Sequence, residues 1–590
     1  MKRLLNHPLA AKLLRFWPTV VVVVVLCVLV SPFFQAGDLV FSSDLRGDSL
    51  ATPWIYDFTA REIAEGRWPA TLTDFDFPIP LGEGEHTRSP FATVPPIEAV
   101  VMAPLAWWLG WPAQWNGMLA VGLLINSLGC LALAHALGCR RLGLVVAAVA
   151  GACCGPVWIE ALEGRTNCFY PGLTMLGLAI FMRVLPRGES EALLPRLFFG
   201  VLGAAVGWLS FVIYPPGVAL WIPLGIALVS RHLLQRRWIG LRELFLPGIL
   251  LLSAYLLSFP QLAEMQQSGW VLQEFSHNQC APPGRVLSLA ELFKREVGEP
   301  FRGLPLGLWF LGCLVLLKRE GRWFWGFVLS WVVLYALMSL GPCPVWERTE
   351  WQETGGALWG WPNFMEPVWW MVSFLHYYDR LAAAGGLLLG LAAAVGAEEA
   401  WSGRTRRSRI PLAGLIAYGL LQMLSIHQNS VLMSENWTKS PQSVSAEFLQ
   451  EAGPGAVVEL PYDQRYQFLS VLQSSKHPRV NTLRPAERSP NIWRGRVDSI
   501  SGRRSVVRYV VEWFDDLGRG RSPQPSPSRS DIAEAGIRWI VFEPGRCLEE
   551  GPFVKQAACS DEVLDTLEAA LGRGRELSDG ARAWEVAGSW

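Results

Sequence analysis

The chain has 590 residues, of which 51% are hydrophobic and 17% are charged. A soluble globular protein carries about 25% charged residues, so this composition excludes a disordered chain and argues against one large soluble enzyme. The 51 basic and 51 acidic residues give a formal net charge of +0, which supplies no general attraction to nucleic acid. The 29 tryptophans favour a chain that crosses a bilayer many times, because tryptophan rings collect at the boundary between membrane and water.

The first apolar segment runs from Trp17 to Phe34 and follows a basic flank. About 20 mostly apolar residues cross a bilayer as a helix, so this segment is long enough to span it. A signal peptide is the alternative, but no convincing small-residue cleavage site follows the segment. We interpret it as an uncleaved transmembrane helix whose basic end lies in the cytoplasm.

Further apolar windows follow along the chain, and with the first they predict about 11 transmembrane helices. These windows lie near residues 115–138, 142–160, 169–185, 196–214, 217–230, 244–262, 304–317, 323–341, 381–397 and 410–427. With the N-terminus inside, every short basic cluster between them falls on the cytoplasmic side, as the positive-inside rule requires. These clusters begin at Arg140, Arg183, Arg231, Lys318 and Arg404.

The segment from Val94 to Trp111 is also apolar, but it contains Pro95, Pro96, Glu98 and Pro104. Counting it as a span would move every later basic cluster to the outer side, so we predict an interfacial or re-entrant helix on the outer face. The predicted outer segments, which face the periplasm or the cell exterior, are residues 36–114, 263–303, 342–380 and the tail from 428. The sequence therefore predicts a multi-pass protein of the cytoplasmic (inner) membrane with its N-terminus in the cytoplasm.

The first outer loop is rich in acidic and aromatic residues, and Asp44 and Asp48 follow soon after the first span. Solvation of a surface loop explains a carboxylate here, and Asp48 is also a favourable N-cap for a helix that starts near Ser49. A catalytic carboxylate just beyond a membrane helix is the other explanation, since it would meet a lipid head group at the interface. For Asp48 the two explanations do not exclude each other.

Short motifs in this loop and later in the chain form a pattern. The loop contains Gly47-Asp48-Ser49-Leu50 and then Glu65-Gly66-Arg67-Trp68-Pro69, while Gly164-Arg165 precedes Tyr170-Pro171, and His376-Tyr377-Tyr378-Asp379-Arg380 enters the tenth span. These motifs, with a soluble C-terminal region after the last span, resemble GT-C-type membrane glycosyltransferases and most of all their large bacterial YfhO-like branch. Arg165 departs from that pattern, because a histidine is common at the matching position.

The resemblance implies an enzyme that takes a sugar from a polyprenyl-phosphate carrier at the outer face of the membrane. It also implies that an acidic residue of the first outer loop acts as general base or as ligand of a divalent metal ion. Asp48 matches that position best and Asp44 is the rival. A carboxylate is chemically suited to the role, because a sugar hydroxyl must lose its proton to become a good nucleophile.

Two arginines on the predicted outer face are candidate ligands for the carrier phosphate, since arginine binds phosphate in a bidentate manner. They are Arg165 and Arg380, and the topology rule does not require them there. A bridge from Arg380 to Asp379, or a snorkelling side chain, is the alternative for Arg380. For Arg165 the alternative is neutralisation by Glu160 and Glu163.

The other candidates lie mainly in the outer loops. Asp74 and Asp76 are weak candidates for a metal site, because an Asp-x-Asp turn is more often solvated loop, and with His86 they could instead bind an acceptor sugar. Glu98 would be costly in an apolar helix unless it faces protein or water. The full set of predicted substrate-binding residues is Arg165, Arg380, Glu163, His86, Tyr377 and Glu98.

From about Ser443 the composition becomes that of a soluble domain, with alternating helices and strands that indicate a small α/β fold. Strands are predicted at 456–461, 537–542 and 583–586, and helices at 445–452, 466–474, 503–517, 531–535 and 561–571. The predicted architecture is thus a polytopic α-helical, GT-C-like membrane body over residues 1–427, with the first outer loop at 36–114. An extracytoplasmic α/β domain over residues 428–590 follows it.

Two other classes of function fit parts of the sequence. A lipid or oligosaccharide transporter usually has ionisable groups inside its spans and paired halves, whereas mid-span charge is almost absent here and eleven spans do not divide equally. A non-catalytic scaffold, in which the GT-C body persists without its chemistry, stays open. The partners expected of the enzyme are a polyprenyl-phosphate-linked sugar, membrane lipids and a glycan, lipid or protein acceptor, with no nucleic acid.

Overall fold

A computed structural model defines the fold of part of the chain. The structure describes residues 8–42, 96–162, 169–184, 193–213, 217–234, 287–293, 303–317, 321–341, 380–402, 406–431, 437–439, 456–460, 525–534, 537–544 and 561–586, with single positions 53, 56, 60, 63, 64, 249, 252, 344, 448, 509, 510, 513, 514 and 517. Contacts divide the chain into two compact units, Met1–Gly37 with Phe41–Ser43 and Asn116–Trp437, and Asp38–Val40 with Asp44–Trp115 and Thr438–Trp590. The first outer loop groups with the C-terminal residues in this division, and the predicted domain boundary at residue 427 stays a prediction.

The protein is mostly helical. The described helices are α1 (Pro8–Gln35), α2 (Pro96–Leu109), α3 (Ala113–Ala136), α4 (Leu142–Ala152), α5 (Gly155–Leu162), α6 (Pro171–Val184), α7 (Leu193–Ile213), α8 (Val218–Leu234), α9 (Leu289–Phe293), α10 (Leu306–Cys313), α11 (Arg322–Met338), α12 (Arg380–Ser402), α13 (Arg406–Val431), α14 (Arg529–Glu534) and α15 (Asp561–Leu571). The strands are β1 (Leu39–Phe41), β2 (Trp437–Lys439), β3 (Ala456–Leu460), β4 (Ile537–Phe542), β5 (Arg575–Glu576) and β6 (Arg582–Glu585).

Five of the described helical segments are long and apolar enough to cross a membrane: Pro18–Gln35, Ala113–Ala136, Leu142–Leu162, Arg380–Ser402 and Ile410–Gln428. Shorter apolar helices lie at Glu98–Leu109, Pro171–Met182, Phe198–Ser210, Leu306–Leu316 and Arg322–Met338. Apart from positions 249 and 252, the predicted window at 244–262 lies outside the described residues. The number of eleven spans therefore stays a prediction.

The window predicted as one helix at 142–160 is broken into α4 and α5 at Cys153 and Cys154. Pro156 explains the break, because it has no backbone N–H to donate to the carbonyl of Ala152 and its ring would clash with that carbonyl in a continuous helix. Both pieces are buried along nearly their whole length.

Helix α12 lies at the centre of the first unit, since 94% of its apolar window is buried. Its sequence is rich in glycine and alanine, which let neighbouring helices approach closely. A methyl group built on Gly390 would lie 2.6 Å from Ala150 Cβ of α4, and one on Gly396 would lie 2.5 Å from the carbonyl oxygen of Leu311 on α10. The small side chains are therefore a requirement of the packing.

Polar side chains of long helices cap short helices that begin inside the body. Asn126 of α3 donates to the carbonyl of Phe169 (2.7 Å) and accepts from the amide of Gly172 (2.9 Å) at the start of α6. Gln422 of α13 accepts from the amide of Gly307 (2.7 Å) at the start of α10. The first amides of a helix have no partner within it and lipid offers none, so these side chains supply the missing acceptors.

The second unit contains a four-stranded sheet in the order β3-β4-β6-β5. Strands β3 and β4 run parallel, with Val458 opposite Ile540, while β4 and β6 run antiparallel, with Ile540 opposite Trp584. The helix α15 packs its Leu567 into the core of this sheet. A parallel pair needs a long crossover connection, and α14 lies within it together with the helical positions 509, 510, 513, 514 and 517.

Several C-terminal elements lie where the sequence predicts them, with β3, β4 and α15 matching most closely. Helix α14 begins at Arg529, two residues before the start of the predicted helix at 531–535, because Ser528 caps it. The amide of Asp531 donates to Ser528 Oγ (3.2 Å), and Ser528 N–H donates back to Asp531 Oδ2 (2.8 Å). The predicted helix at 466–474 lies outside the described residues.

Candidate functional site

The described residues include two of the predicted site residues, Arg380 and Glu98. The remaining predicted residues lie outside the described part of the chain; they are Asp44, Asp48, Asp74, Asp76, His86, Glu163, Arg165 and Tyr377. Within the described part no group of three or more histidine, cysteine, aspartate or glutamate side chains is arranged to hold a metal ion. The site is therefore built from the surroundings of Arg380 and, separately, of Glu98.

Arg380 forms a buried ion pair with Glu160. Its Nε donates to Glu160 Oε1 at 3.2 Å and its terminal Nη2 to Glu160 Oε2 at 3.4 Å, so the guanidinium faces both carboxylate oxygens. The two side chains are 10% and 4% exposed. Each charge of the pair offsets part of the cost of removing the other from water, whereas either charge alone would be expensive there.

The partner of Arg380 is thus not one that the sequence suggested for it. Asp379, the suggested partner, lies outside the described residues, and Glu160 was considered only as a neighbour of Arg165. Glu160 and Arg380 are 220 positions apart in the chain, so no local pattern connects them. The predicted membrane topology does assign both residues to the outer side of the membrane. This shared side is the feature of the sequence that could have suggested the pair.

An aromatic cluster surrounds Trp158, which lies two residues before Glu160 on α5. Phe33 of α1 stacks on Trp158 with ring centroids 5.9 Å apart, and Phe41 of β1 meets it edge-on at 5.7 Å. His427 of α13 lies 5.2 Å from the same indole, and Trp437 of β2 lies 5.2 Å from Phe41. Such ring contacts fix the relative positions of the segments that contribute them.

The chain that leaves α1 is anchored to the same region by two hydrogen bonds. The amide of Phe41 donates to Asn116 Oδ1 at 3.1 Å, at the start of α3. Ser42 Oγ donates to the carbonyl oxygen of Leu162 at 3.2 Å, at the end of α5. In the sequence Ser42 stands two residues before Asp44, and Leu162 three residues before Arg165.

These contacts bring together helix ends that the predicted path assigns to one side of the membrane. They are the ends of α1, α5 and α13 and the starts of α3 and α12, represented by Phe33, Glu160, His427, Asn116 and Arg380.

Two ends assigned to the opposite side also meet. Glu398 Oε2 of α12 accepts from the amides of Arg141 (3.1 Å) and Gly143 (2.9 Å) at the start of α4. The geometry therefore agrees with the predicted alternation of these helices, and which side faces the cytoplasm stays a prediction.

A second polar contact lies within the first outer loop, in the other unit. Tyr56 Oη donates a hydrogen bond to Glu98 Oε1, and both residues are buried, with Glu98 0% exposed. Trp107 Nε1 donates to the carbonyl of Ala60 at 2.7 Å. Glu98 lies in the first turn of α2, where the positive end of the helix dipole favours a carboxylate. Glu98 thus faces protein, as a carboxylate in an apolar helix is expected to do.

No protein-family model matches the sequence, and no curated protein matches it. Among solved structures the fold is similar to that of the arabinofuranosyltransferase AftD from Mycobacteria, with a TM-score of 0.54 and 16% identity over 98% of this chain and 40% of the other. The oligosaccharyltransferase of Archaeoglobus fulgidus gives a TM-score of 0.49 at 11% identity over 91% and 70% of the two chains. ArnT from Cupriavidus metallidurans gives 0.48 at 13% identity over 97% and 99%.

These neighbours are GT-C glycosyltransferases. Identity this low supports the fold alone, and we base the fold assignment on AftD, whose TM-score exceeds one half. The protein therefore has a predominantly helical fold similar to that of AftD. The chain covers 40% of the length of AftD.

Proposed function

We propose that the protein is an integral membrane glycosyltransferase that moves a sugar from a polyprenyl-phosphate carrier to a glycan, lipid or protein acceptor at the outer face of the inner membrane. The observation that carries the proposal is the fold likeness to an arabinofuranosyltransferase over 98% of this chain. The proposed orientation has the N-terminus in the cytoplasm and residues 428–590 as an extracytoplasmic α/β domain. The YfhO-like branch is the proposed place of the chain among these enzymes.

The anchored end of the helical body supports the proposed location of the chemistry. Ser42 is bound to Leu162, and Arg380 to Glu160, at one end of the same group of helices. The chain segments that continue from Ser42 and Leu162 carry Asp44 with Asp48, and Glu163 with Arg165. Carboxylates and arginines are the two kinds of side chain that this reaction needs.

In the proposed reaction the acceptor hydroxyl oxygen bonds to the anomeric carbon while the bond from that carbon to the carrier phosphate breaks. Asp48, or Asp44 in its place, takes the hydroxyl proton as general base or binds a divalent metal ion. Arg165 and Arg380 stabilise the charge that develops on the leaving phosphate. Glu163, His86, Tyr377 and Glu98 are proposed to contribute to the sugar and carrier sites, with Asp74 and Asp76 as weaker metal candidates.

The test compares cells that produce wild-type protein, Asp48→Asn or Asp44→Asn at matched abundance, with polyprenyl-phosphate sugars quantified by lipid mass spectrometry. One lipid-linked sugar is expected to fall with the wild type and to recover with the variant that lacks the base. Asp579→Asn is the matched control, since Asp579 is exposed in a turn with φ +53°, a conformation that asparagine tolerates. Identical sugar profiles for all four proteins would contradict the proposal.

A non-catalytic GT-C-like scaffold is the second candidate, and the Arg380–Glu160 pair is the observation that favours it. The guanidinium already has a carboxylate partner, so it is not an isolated charge that needs a phosphate. A scaffold predicts unchanged lipid-linked sugars in the experiment above, together with loss of a partner's activity when the protein is deleted. Asn126 and Gln422, two of the described polar residues in apolar helices, accept from backbone amides at helix starts, which is a structural role and gives no support to a transporter.

A further inference from the structure

Helix α8 contains a proline in its interior, at Pro223. In a regular helix the amide of residue 223 donates to the carbonyl of residue 219, but proline has no N–H to donate. The carbonyl of Ala219 therefore loses the partner that its own helix would supply. In a segment predicted to cross a membrane this loss is costly, because lipid offers no hydrogen-bond donor in its place.

A tyrosine of another helix supplies the missing donor. Tyr335 of α11 donates from its Oη to the carbonyl oxygen of Ala219 at 2.6 Å. Its side chain is only 4% exposed, and Trp331 one turn earlier meets its ring edge-on with centroids 5.5 Å apart. The packing thus holds the hydroxyl at the one carbonyl of α8 that Pro223 deprives of its amide.

The turn of α8 before Pro223 is also in contact with α6. Trp221 meets Phe181 edge-on with ring centroids 6.4 Å apart. A methyl group built on Gly177 would lie 3.2 Å from the Trp221 ring. This turn is therefore bound on the sides that face α6 and α11.

Another side of α8 around Pro223 is open. Ile222 and Ile226 are 42% and 45% exposed, and a methyl group built on Gly225 meets nothing within 4 Å. A proline interrupts the helical ladder and is a common place for a helix to bend. The start of α8 thus has room to move on one side and is joined to α11 on another by the bond from Tyr335.

We propose that Pro223 is a hinge in α8 and that the bond from Tyr335 Oη to the Ala219 carbonyl is the lock that keeps this hinge closed. When the bond breaks, the turn before Pro223 tilts towards the open side at Ile222 and Ile226, while α11 keeps its own packing. A hinge of this kind needs changes in only a few backbone angles.

The test measures amide hydrogen exchange of the purified full chain in lipid nanodiscs. Tyr335→Phe removes the hydroxyl and keeps the ring, and it is expected to speed exchange in residues 218–227 about five- to a hundredfold, the effect of leaving a carbonyl without its donor. Tyr418→Phe is the matched control, because the Tyr418 hydroxyl is bound to Gln422 of its own helix α13 at 2.8 Å. That control should leave the exchange of α8 unchanged.

Pro223→Ala restores the amide that donates to Ala219, so adding Tyr335→Phe to it should change exchange in α8 less than about twofold, well below the effect expected in the wild type. Three results overturn the proposal: wild-type exchange in Tyr335→Phe, an equal effect of Tyr335→Phe with and without Pro223→Ala, or faster exchange that extends equally to α12.

If Tyr335→Phe does not fold, Pro223→Ala alone provides the test. It should slow exchange in residues 218–227 relative to the wild type, and unchanged exchange would overturn the hinge. The measurement needs no substrate, so the hinge and the proposed function can fail separately.

Discussion

Removing one charge of the buried pair Arg380–Glu160 affects stability differently from removing both charges together. We expect Glu160→Gln to lower the free energy of unfolding by about 3–5 kcal/mol, because it leaves the arginine charge buried without its carboxylate. Thermal unfolding of the purified protein in one detergent measures this loss. The double variant Glu160→Leu with Arg380→Met should be less destabilised than the sum of the single changes, and strictly additive losses would contradict the pairing.

Asp531 provides a pH-dependent contact at the start of α14. The hydrogen bonds from the Ser528 hydroxyl and backbone N–H lower the pKa of this carboxyl below its ordinary value. The ionised form is the one that binds, so the cap is fully present above the ordinary pKa of about 3.9 and is lost as the pH falls through the lower folded-state pKa.

We therefore expect amide exchange in Arg529–Glu534, corrected for intrinsic rates, to become faster in acid for the wild type. Asp531→Asn should exchange faster at neutral pH and lose this additional acid dependence. Asp579→Asn removes the same charge from an exposed turn and should keep the wild-type profile. Equal profiles for Asp531→Asn and the wild type would show that the cap does not hold the helix start.

At the scale of elements, the helices α3 and α6 come close to each other at a pair of glycines. A methyl group built on Gly129 would lie 2.0 Å from the carbonyl oxygen of Gly172, and one on Gly172 would lie 2.3 Å from the backbone of Asn126. No rearrangement of a flexible side chain relieves a clash with backbone. This contact brings Asn126 within reach of the start of α6.

We expect Gly129→Ala to separate α3 from α6 and to lower the melting temperature and the yield of folded protein. Gly414→Ala in α13 is the matched control, because nothing lies within 4 Å of the added methyl group. That change should be neutral or stabilising, since alanine favours a helix over glycine by up to about 1 kcal/mol. Equal effects of the two substitutions would mean that the glycine contact does not determine the packing.

An element can be predicted from the sequence when the interactions that define it are local along the chain. Apolar windows place α3, α12 and α13 within a few residues, because hydropathy depends on the chain itself. The break at Cys153 and Cys154 was missed although Pro156 could have indicated it. The capping by Asn126 and the pairing of Glu160 with Arg380 join distant segments, so a single sequence contains no pattern that specifies them.

For the whole molecule, the alternation of helix ends leads to a prediction of orientation. A reporter phosphatase that is active only outside the cytoplasm should be active when fused after Gln428 and inactive when fused after Arg141. The reason is that the basic clusters resist translocation, which holds their loops in the cytoplasm. The reverse pattern of activity would invert the orientation, and activity at both positions would contradict the alternation itself.

Helix α12 is held to the α4–α5 pair at both of its ends, by Arg380 with Glu160 and by Glu398 with the start of α4. The eighteen residue steps from Arg380 to Glu398 correspond to about 27 Å of helix, close to the roughly 30 Å of a hydrocarbon core. The length of helix between the two contacts thus sets the bilayer thickness that the protein matches. Melting temperatures in bilayers of graded acyl-chain length should pass through a maximum near that thickness, and a monotonic series would contradict it.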